Sequence, residues 1–409
     1  MRSLLSTTVV WLGCVFVPIC SAADWPNWRG PHHDGISRET GLLKSWPKEG
    51  LKVLWEGKLT GGYSSVVVAG GRVFTQTKDN KEEVILCLDA DTGKRLWQYR
   101  YPCDYADYPS LDKRFLTGPK ATPAVDGDRV YNLGNTGQFH CLDAKTGKLI
   151  WKRDILKLAD RTCPEYGYCN SPLIVGDVIY LHPGGQKGNS IAALNRHDGT
   201  VLWQALDDRI GWATPVLIHF KGKPQLIYFT GQGAVGVSPK NGKALWRYDW
   251  KTAFDINAAT PIYAEGCVFI SSNYGRGGAL LRLQPDRDPE VVWKNLSMAN
   301  HFSTSVLWQG HLYGFSNDRL RCVEFATGKV KWDKVGLGRG SLIVADGHLL
   351  VLGDEGTLVL AEARTDKYVE KARWAALSGT CWSVPVLASG KLYLRNERKI
   401  LAVDLVHAR

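Results

Sequence analysis

One unit, repeated along almost the whole chain, constrains this sequence more than any other feature. The unit opens on a small residue followed by Thr or Ser and then Pro. It passes through a short strand to a Gly turn, a second strand ending in Tyr or Phe, and a third strand. An Asp-x-x-Thr-Gly-Lys turn then leads to a fourth strand that carries Trp. Residues 121–154, ATPAVDGDRVYNLGNTGQFHCLDAKTGKLIWKRD, show it whole. Further copies begin at Ser64, Asn170, Ala213, Ala259, Ser303, Ser341 and Ser383. The closing tryptophans are Trp97, Trp151, Trp203, Trp246, Trp293, Trp332 and Trp374, at separations of 54, 52, 43, 47, 39 and 42 residues. That period is the size of a four-stranded propeller blade.

The local chemistry agrees. Segments such as DRVYNL and HLYGFS alternate apolar and polar residues, the period of a half-buried strand. Thr-Gly-Lys and Asn-Gly-Lys put Gly where a tight hairpin needs positive φ. A Trp at the end of each unit is large and rigid enough to fill the wedge between blades, and its indole N–H can donate to a turn carbonyl. The unit starting at Ser383 stops after its third strand, at Leu405. The missing Trp strand sits at the other end of the chain, where residues 52–58 read KVLWEGK. An N-terminal strand that completes the last blade closes the ring and removes both free edges. The expectation is an all-β, eight-bladed propeller over 52–409. Seven blades is the alternative, because the unit at 341–377 has a degraded turn (ARTDKYVEKARW).

The flanking sequence speaks to compartment. Residues 1–23, MRSLLSTTVVWLGCVFVPICSAA, have Arg2 as a positive start, an apolar core over 9–20 and small residues for cleavage after Ala22 or Ala23. This reads as a secretory signal, too short to span a bilayer. Residues before Cys14 and Cys20 fit lipoprotein processing poorly. Residues 24–51 form an N-terminal extension. The mature chain is expected to be exported, periplasmic or secreted, without a membrane span. The net charge is +11, from 51 Lys and Arg against 40 Asp and Glu, but the cations are scattered singly. Without a basic run the composition does not point to nucleic acid.

Eight cysteines remain after the signal. Cys87, Cys141 and Cys322 share one repeat position and are expected to pack internally, too far apart to bridge. Cys163 and Cys169 lie six apart in a loop, and in an oxidising compartment they are a disulfide candidate, with Cys103 as a competitor. Their spacing matches no zinc site.

Asp-Ala-x-Thr-Gly-Lys-x-x-Trp units, as at 89–97 and 143–151, resemble the pyrroloquinoline-quinone-type propeller repeat. The opening Asp24-Trp25-Pro26-Asn27-Trp28-Arg29-Gly30-Pro31 is similar to exported bacterial members of that group. The resemblance implies the fold and two branches of function: quinoprotein alcohol or sugar dehydrogenases, and non-catalytic scaffolds of the BamB-like type. The dehydrogenases hold calcium with acidic residues and an Asn in the central funnel, use an Asp base beside the quinone, and often carry adjacent cysteines. This chain has no Cys-Cys pair.

Other motifs dissolve into the repeat. Gly231-Gln232-Gly233-Ala234-Val235-Gly236 has the dinucleotide spacing, but a blade turn follows it instead of a helix. Asp89-Ala90-Asp91-Thr92-Gly93 begins like a calcium loop and lacks the closing Glu. His32-His33 has no further ligand nearby.

With the units aligned on the Pro position, the residue three before that position is expected at the mouth of the central channel, because the innermost strand lines it. These residues are Tyr63, Lys120, Cys169, Trp212, Ala258, Phe302, Arg339 and Trp382. Asn257 and His301, one residue upstream, are expected to add polar contacts. None of the eight is a carboxylate, so a cation there lacks hard anionic ligands and no metal is expected. Aromatic faces beside Lys120 and Arg339 suit an anionic or sugar-bearing ligand, or an acidic peptide. The long loops at 101–118 and 157–169 add Tyr101, Tyr105, Tyr108, Tyr166 and Tyr168 as contacts. Asp104, Asp107 and Glu165 on these loops are the acids available as a base under the dehydrogenase alternative. The expected role is a non-catalytic scaffold or binding module for protein or polysaccharide, with no cofactor and no catalytic residue. The alternative is a dehydrogenase that uses pyrroloquinoline quinone with calcium.

Overall fold

The computed structural model describes residues 23–104 and 118–407. The signal segment, Tyr105, Asp107 and Tyr108 lie outside the described residues. The strands form eight antiparallel four-stranded blades, one of which takes a fifth, parallel strand. The unit at 341–377 is a full blade despite its degraded turn, so the ring has eight blades and not seven. Blade 1 runs through Val67–Ala69, Arg72–Asp79, Glu82–Asp89 and Arg95–Pro102. Blade 8 is built from both ends of the chain. Val386–Ala388, Lys391–Arg395 and Lys399–Asp404 are completed by Lys52–Lys58, with Trp55 opposite Ala402.

The repeat's tryptophan is a clasp between blades. For six of these tryptophans the indole N–H donates to the hairpin-turn region of the following blade, as with Trp55 to Ala90 O at 3.0 Å, Trp97 to Ala144 O at 3.1 Å, Trp151 to Arg196 O at 3.1 Å and Trp293 to Phe325 O at 2.8 Å, whereas Trp246 donates to Gln225 Oε1 of its own blade at 2.9 Å. The Gly of that same turn lies flat on the indole. A Cβ on Gly93 would sit 2.5 Å from Trp55, and one on Gly147 would sit 2.6 Å from Trp97. So this Gly answers two demands, positive φ and contact with the ring. Where the turn is degraded, Tyr368 packs edge-on against Trp332 instead, at 5.5 Å between ring centres. Trp374 faces blade 8, whose outer strands are not joined by a turn, and Gly50 fills the place. Cys87, Cys141 and Cys322 are buried small residues directly across from Trp97, Trp151 and Trp332. The turns that begin like calcium loops close on themselves: Asp89 Oδ1 accepts from the N–H groups of Asp91 and Thr92 and from the Thr92 hydroxyl. Gly236 is small because it faces Trp246.

The small-Thr/Ser-Pro start is a second set of links, around the channel. The N–H of Ser65 donates to Thr122 Oγ1 at 3.1 Å, Thr122 N–H to Ser171 Oγ at 3.0 Å and Ser171 N–H to Thr214 Oγ1 at 2.9 Å. Each hydroxyl thus satisfies an inner-strand amide of its neighbour.

The N-terminal extension is woven into the ring. Trp25 bridges Val68 in blade 1, Pro26 O accepts from Val125 N–H in blade 2, and Ile36–Ser37 adds the parallel strand beside Ser341–Ala345 in blade 7. Between these anchors the segment crosses the channel. Arg29 is buried there, with its guanidinium on the carbonyls of His33, Asp34 and Ser305.

Buried polar rings sit among the blades. His182 is enclosed, and burial lowers its pKa to about 4, Asp208 opposing that shift and Arg161 adding to it. Burial, with Lys152, lowers His140 to about 4 as well. The unfolded chain protonates these rings near pH 6.5 and the folded chain does not until about pH 4. Stability is therefore lost as pH falls from about 6.5 to 4, on the order of 3 kcal/mol per ring. Urea midpoints at pH 7 and pH 4.5 should differ, and His182→Phe should narrow the difference; an unchanged difference contradicts it. The clasp has its own matched test. Gly93 and Gly71 have φ of 69° and 71°, but only Gly93 faces an indole. Gly93→Ala should lose about 1–3 kcal/mol more than Gly71→Ala in thermal melts. Equal losses would mean that the clasp does not matter.

Candidate functional site

The eight residues expected at the channel mouth all line one cavity of about 350 Å³. The chain positions them rigidly, because each one precedes an innermost strand fixed by the hydroxyl links. Three rings pack in a tilted series: Tyr63 against Trp382 at 4.9 Å, and Trp382 against Phe302 at 5.1 Å. On the opposite wall Trp212 meets Tyr166 edge-on at 5.5 Å, and its indole N–H donates to Gly167 O at 2.9 Å. Lys120 Nζ lies 3.5 Å from Asn135 Oδ1. Arg339 is held by its backbone, whose N–H donates to Asp354 Oδ2 at 2.9 Å. Among the described residues no carboxylate lines the cavity.

His301 lines it too. The Tyr274 hydroxyl lies 2.9 Å from His301 Nε2, the donor of that pair being set by the tautomer of the ring, and among the described residues His301 Nδ1 is buried without a hydrogen-bond partner. Burial and then the Arg339 charge lower the His301 pKa to about 4, so the ring is neutral at neutral pH.

Several expectations need correction. Asn257 is not at the mouth. It is fully buried, with Nδ2 donating to Thr230 O at 2.7 Å and Trp250 O at 3.1 Å, and its Oδ1 accepting from Ser272 at 2.6 Å. Its carbonyl also receives the N–H groups of Trp212 and Ala213, so it is a strut between blades 4 and 5. Cys163 and Cys169 are separate thiols. The loop between them is wound, with Gly167 N–H on Pro164 O and Tyr168 N–H on Asn135 O. That winding sends Cys163 Sγ to Asn135 O and Cys169 Sγ to Tyr166 O, each at 3.6 Å. Of the loop tyrosines, Tyr166 reaches the cavity. Tyr101 and Tyr168 are buried: Tyr101 donates to Glu83 at 2.7 Å and Tyr168 to Pro183 O at 3.0 Å. Asp104 is exposed, 3.5 Å from Lys81.

Three lining residues away from the inner-strand starts were missed. Trp28, from the extension, donates its indole N–H to Thr260 Oγ1 at 3.0 Å and bounds the cavity where the segment crosses the channel. It belongs to no repeat unit, so the repeat's register could not place it. Tyr274 and Ile256 were also missed. Among the described residues no cluster of His, Cys, Asp and Glu could hold a metal ion. No helix among them is long and apolar enough to cross a membrane.

Comparison with known proteins follows the same two branches. A family model described as outer membrane protein assembly factor BamB matches residues 36–112 and 81–334. The outer membrane protein assembly factor BamB of Yersinia pestis is 23% identical over 340 residues, covering 77% of this chain and 78% of that protein. The quinoprotein alcohol dehydrogenase PedH of Pseudomonas putida is 28% identical over 243 residues, 53% of this chain and 38% of that protein. Among solved structures, BamB from Moraxella catarrhalis aligns with a TM-score of 0.60 at 12% identity, covering 87% of this chain and 99% of that one. The quinohemoprotein alcohol dehydrogenase of Comamonas testosteroni aligns with a TM-score of 0.66 at 13% identity, covering 94% and 81%. At such identities the structural likeness shows the fold alone. The family match spans well over half of the sequence, and with its eight blades the chain belongs to the PQQ-like propeller family described as outer membrane protein assembly factor BamB.

Proposed function

We propose that this protein is an exported, non-catalytic propeller scaffold that holds a protein partner at its channel mouth. The observation that carries the reading is the cavity itself: aromatic walls, a cationic rim and no lining carboxylate among the described residues. Aromatic faces supply contact area at low entropic cost, and Arg339 and Lys120 select for negative charge. The family membership supports a role in assembly rather than in turnover, and residues 1–23 support export.

The dehydrogenase reading requires calcium beside a quinone. Calcium takes six to eight oxygen ligands, carboxylates prominent among them. The described lining offers Lys120, Arg339 and a neutral His301 and no carboxylate, so these residues do not fit the group.

Two experiments test the proposal. A photo-crosslinking residue at position 302, in the protein expressed in its native host, should give a discrete protein adduct. The same residue at position 202, exposed on an outer strand, should not. Adducts at 202 alone, or at neither position, contradict the reading. Separately, the purified protein given pyrroloquinoline quinone and calcium should oxidise alcohols and aldoses no faster than its Lys120→Ala, Arg339→Ala double variant in a dye-linked assay. A rate that the double variant abolishes overturns the scaffold in favour of the enzyme.

A further inference from the structure

The aromatic series does not end inside the cavity. From Phe302 it continues through His301 at 5.1 Å to Tyr274 at 5.4 Å, and on to Phe254 at 6.4 Å. Phe254 is 66% exposed, on the short 3-10 turn Ala253–Asp255 between blades 4 and 5. Tyr274 opens the hairpin turn of blade 5. At the other end of that turn Gly277 backs against Leu296, which is 64% exposed. Phe254, Asp255 and Tyr274 all hold positive φ, at 61°, 57° and 57°. Bulky residues rarely adopt that conformation, and strain of this kind gathers where a chain displays side chains for use.

Positive charge flanks the same strip. Arg276 and Lys294 lie over the Trp250 ring at 5.0 and 5.3 Å. Arg339 stands at the cavity end, and among the described residues its guanidinium has no hydrogen-bond or ion-pair partner. The nearby acids are engaged: Asp255 pairs with Arg209 at 2.9 Å, and Asp354 accepts from the Arg339 backbone.

We propose that the docking surface runs from the cavity outward over blades 4 to 6, along Phe254, Tyr274 and Leu296, and that it receives an acidic protein segment carrying an apolar anchor residue. The anchor enters the aromatic cavity, and carboxylates along the segment meet Arg339, Arg276 and Lys294. This rests on the channel mouth being a docking site. A polypeptide fits better than a saccharide. The described lining contains no Asp, Glu, Asn or Gln to sort sugar hydroxyls, and Thr122, Ser171 and Thr214 already accept backbone amides. The outer strip adds a bare leucine and a phenylalanine edge, which suit side-chain packing.

The probe is a random glutamate–tyrosine copolymer, compared at low ionic strength with polyglutamate and with hyaluronate. The copolymer should bind at least about tenfold more tightly than polyglutamate. Phe254→Ser with Leu296→Ser should reduce that advantage and leave polyglutamate binding unchanged, while Arg339→Ala weakens both. Both serines replace solvent-exposed side chains, so an unchanged melting temperature should confirm the fold. Equal affinity for the two polypeptides overturns the anchor, and tighter hyaluronate binding overturns the protein partner. If the crosslink at position 302 forms but the serine variant binds the copolymer like wild type, this surface is wrong and the scaffold reading stands. If the serine variant loses the copolymer but position 302 captures nothing, the outer strip acts alone and the channel-mouth reading falls.

Discussion

The tryptophan clasp is the contact on which the rest of the molecule depends. A single four-stranded blade has two faces to bury and cannot bury them alone. Stacking in a ring solves this only if each blade is pinned to the next at its outer edge, where the wedge between sheets is widest. Trp55, Trp97, Trp151 and Trp293 pin it by filling the wedge and by donating to a carbonyl in the next blade's turn. The hydroxyl links between inner strands do the same work at the narrow end. With both ends fixed, the loops at the channel mouth inherit their positions from the frame. A cavity built from ten separate parts of the chain is therefore preorganised, which lowers the entropic cost of binding there.

Closure of the ring follows the same logic. Blade 8 is made from the two ends of the chain, and its outer strand, Lys52–Lys58, carries the Trp that clasps blade 1. Arg395 adds a polar latch at this seam. It is buried, and its guanidinium is spread over Thr75 Oγ1 and the carbonyls of Gln76, Gly61 and Gly62. Without a carboxylate partner its pKa falls to about 9, through burial. The latch holds the loop that presents Tyr63, so the seam and the site are mechanically one.

Much of this was legible from spacing alone. The Trp period and the small-Thr/Ser-Pro starts define blade number, register and inner strands. A register shared by eight units then places Tyr63, Lys120, Trp212, Phe302, Arg339 and Trp382 on one rim. What lay outside the repeat was not legible. Trp28 reaches the cavity because the extension crosses the channel, a tertiary path with no local signature. Asn257 sits one residue from the rim but is turned inward by backbone acceptors at Thr230 and Trp250. Cys163 and Cys169 are close in sequence, yet the turn at Pro164–Gly167 sends the thiols to different neighbours. Phe254 and Leu296 carry no signal in the repeat, because the exposure of both and the positive φ of Phe254 are properties of the folded chain.

The central claim is that this propeller meets its partner at one end of the channel and not on its outer edge. Hydrogen–deuterium exchange with and without saturating glutamate–tyrosine copolymer tests it most directly. The account predicts slowed exchange in peptides covering 252–258, 272–277, 295–303 and 337–341, with the outer strands around Trp151, Trp203 and Trp332 unchanged. Protection confined to those outer strands, or spread evenly around the ring, would contradict it.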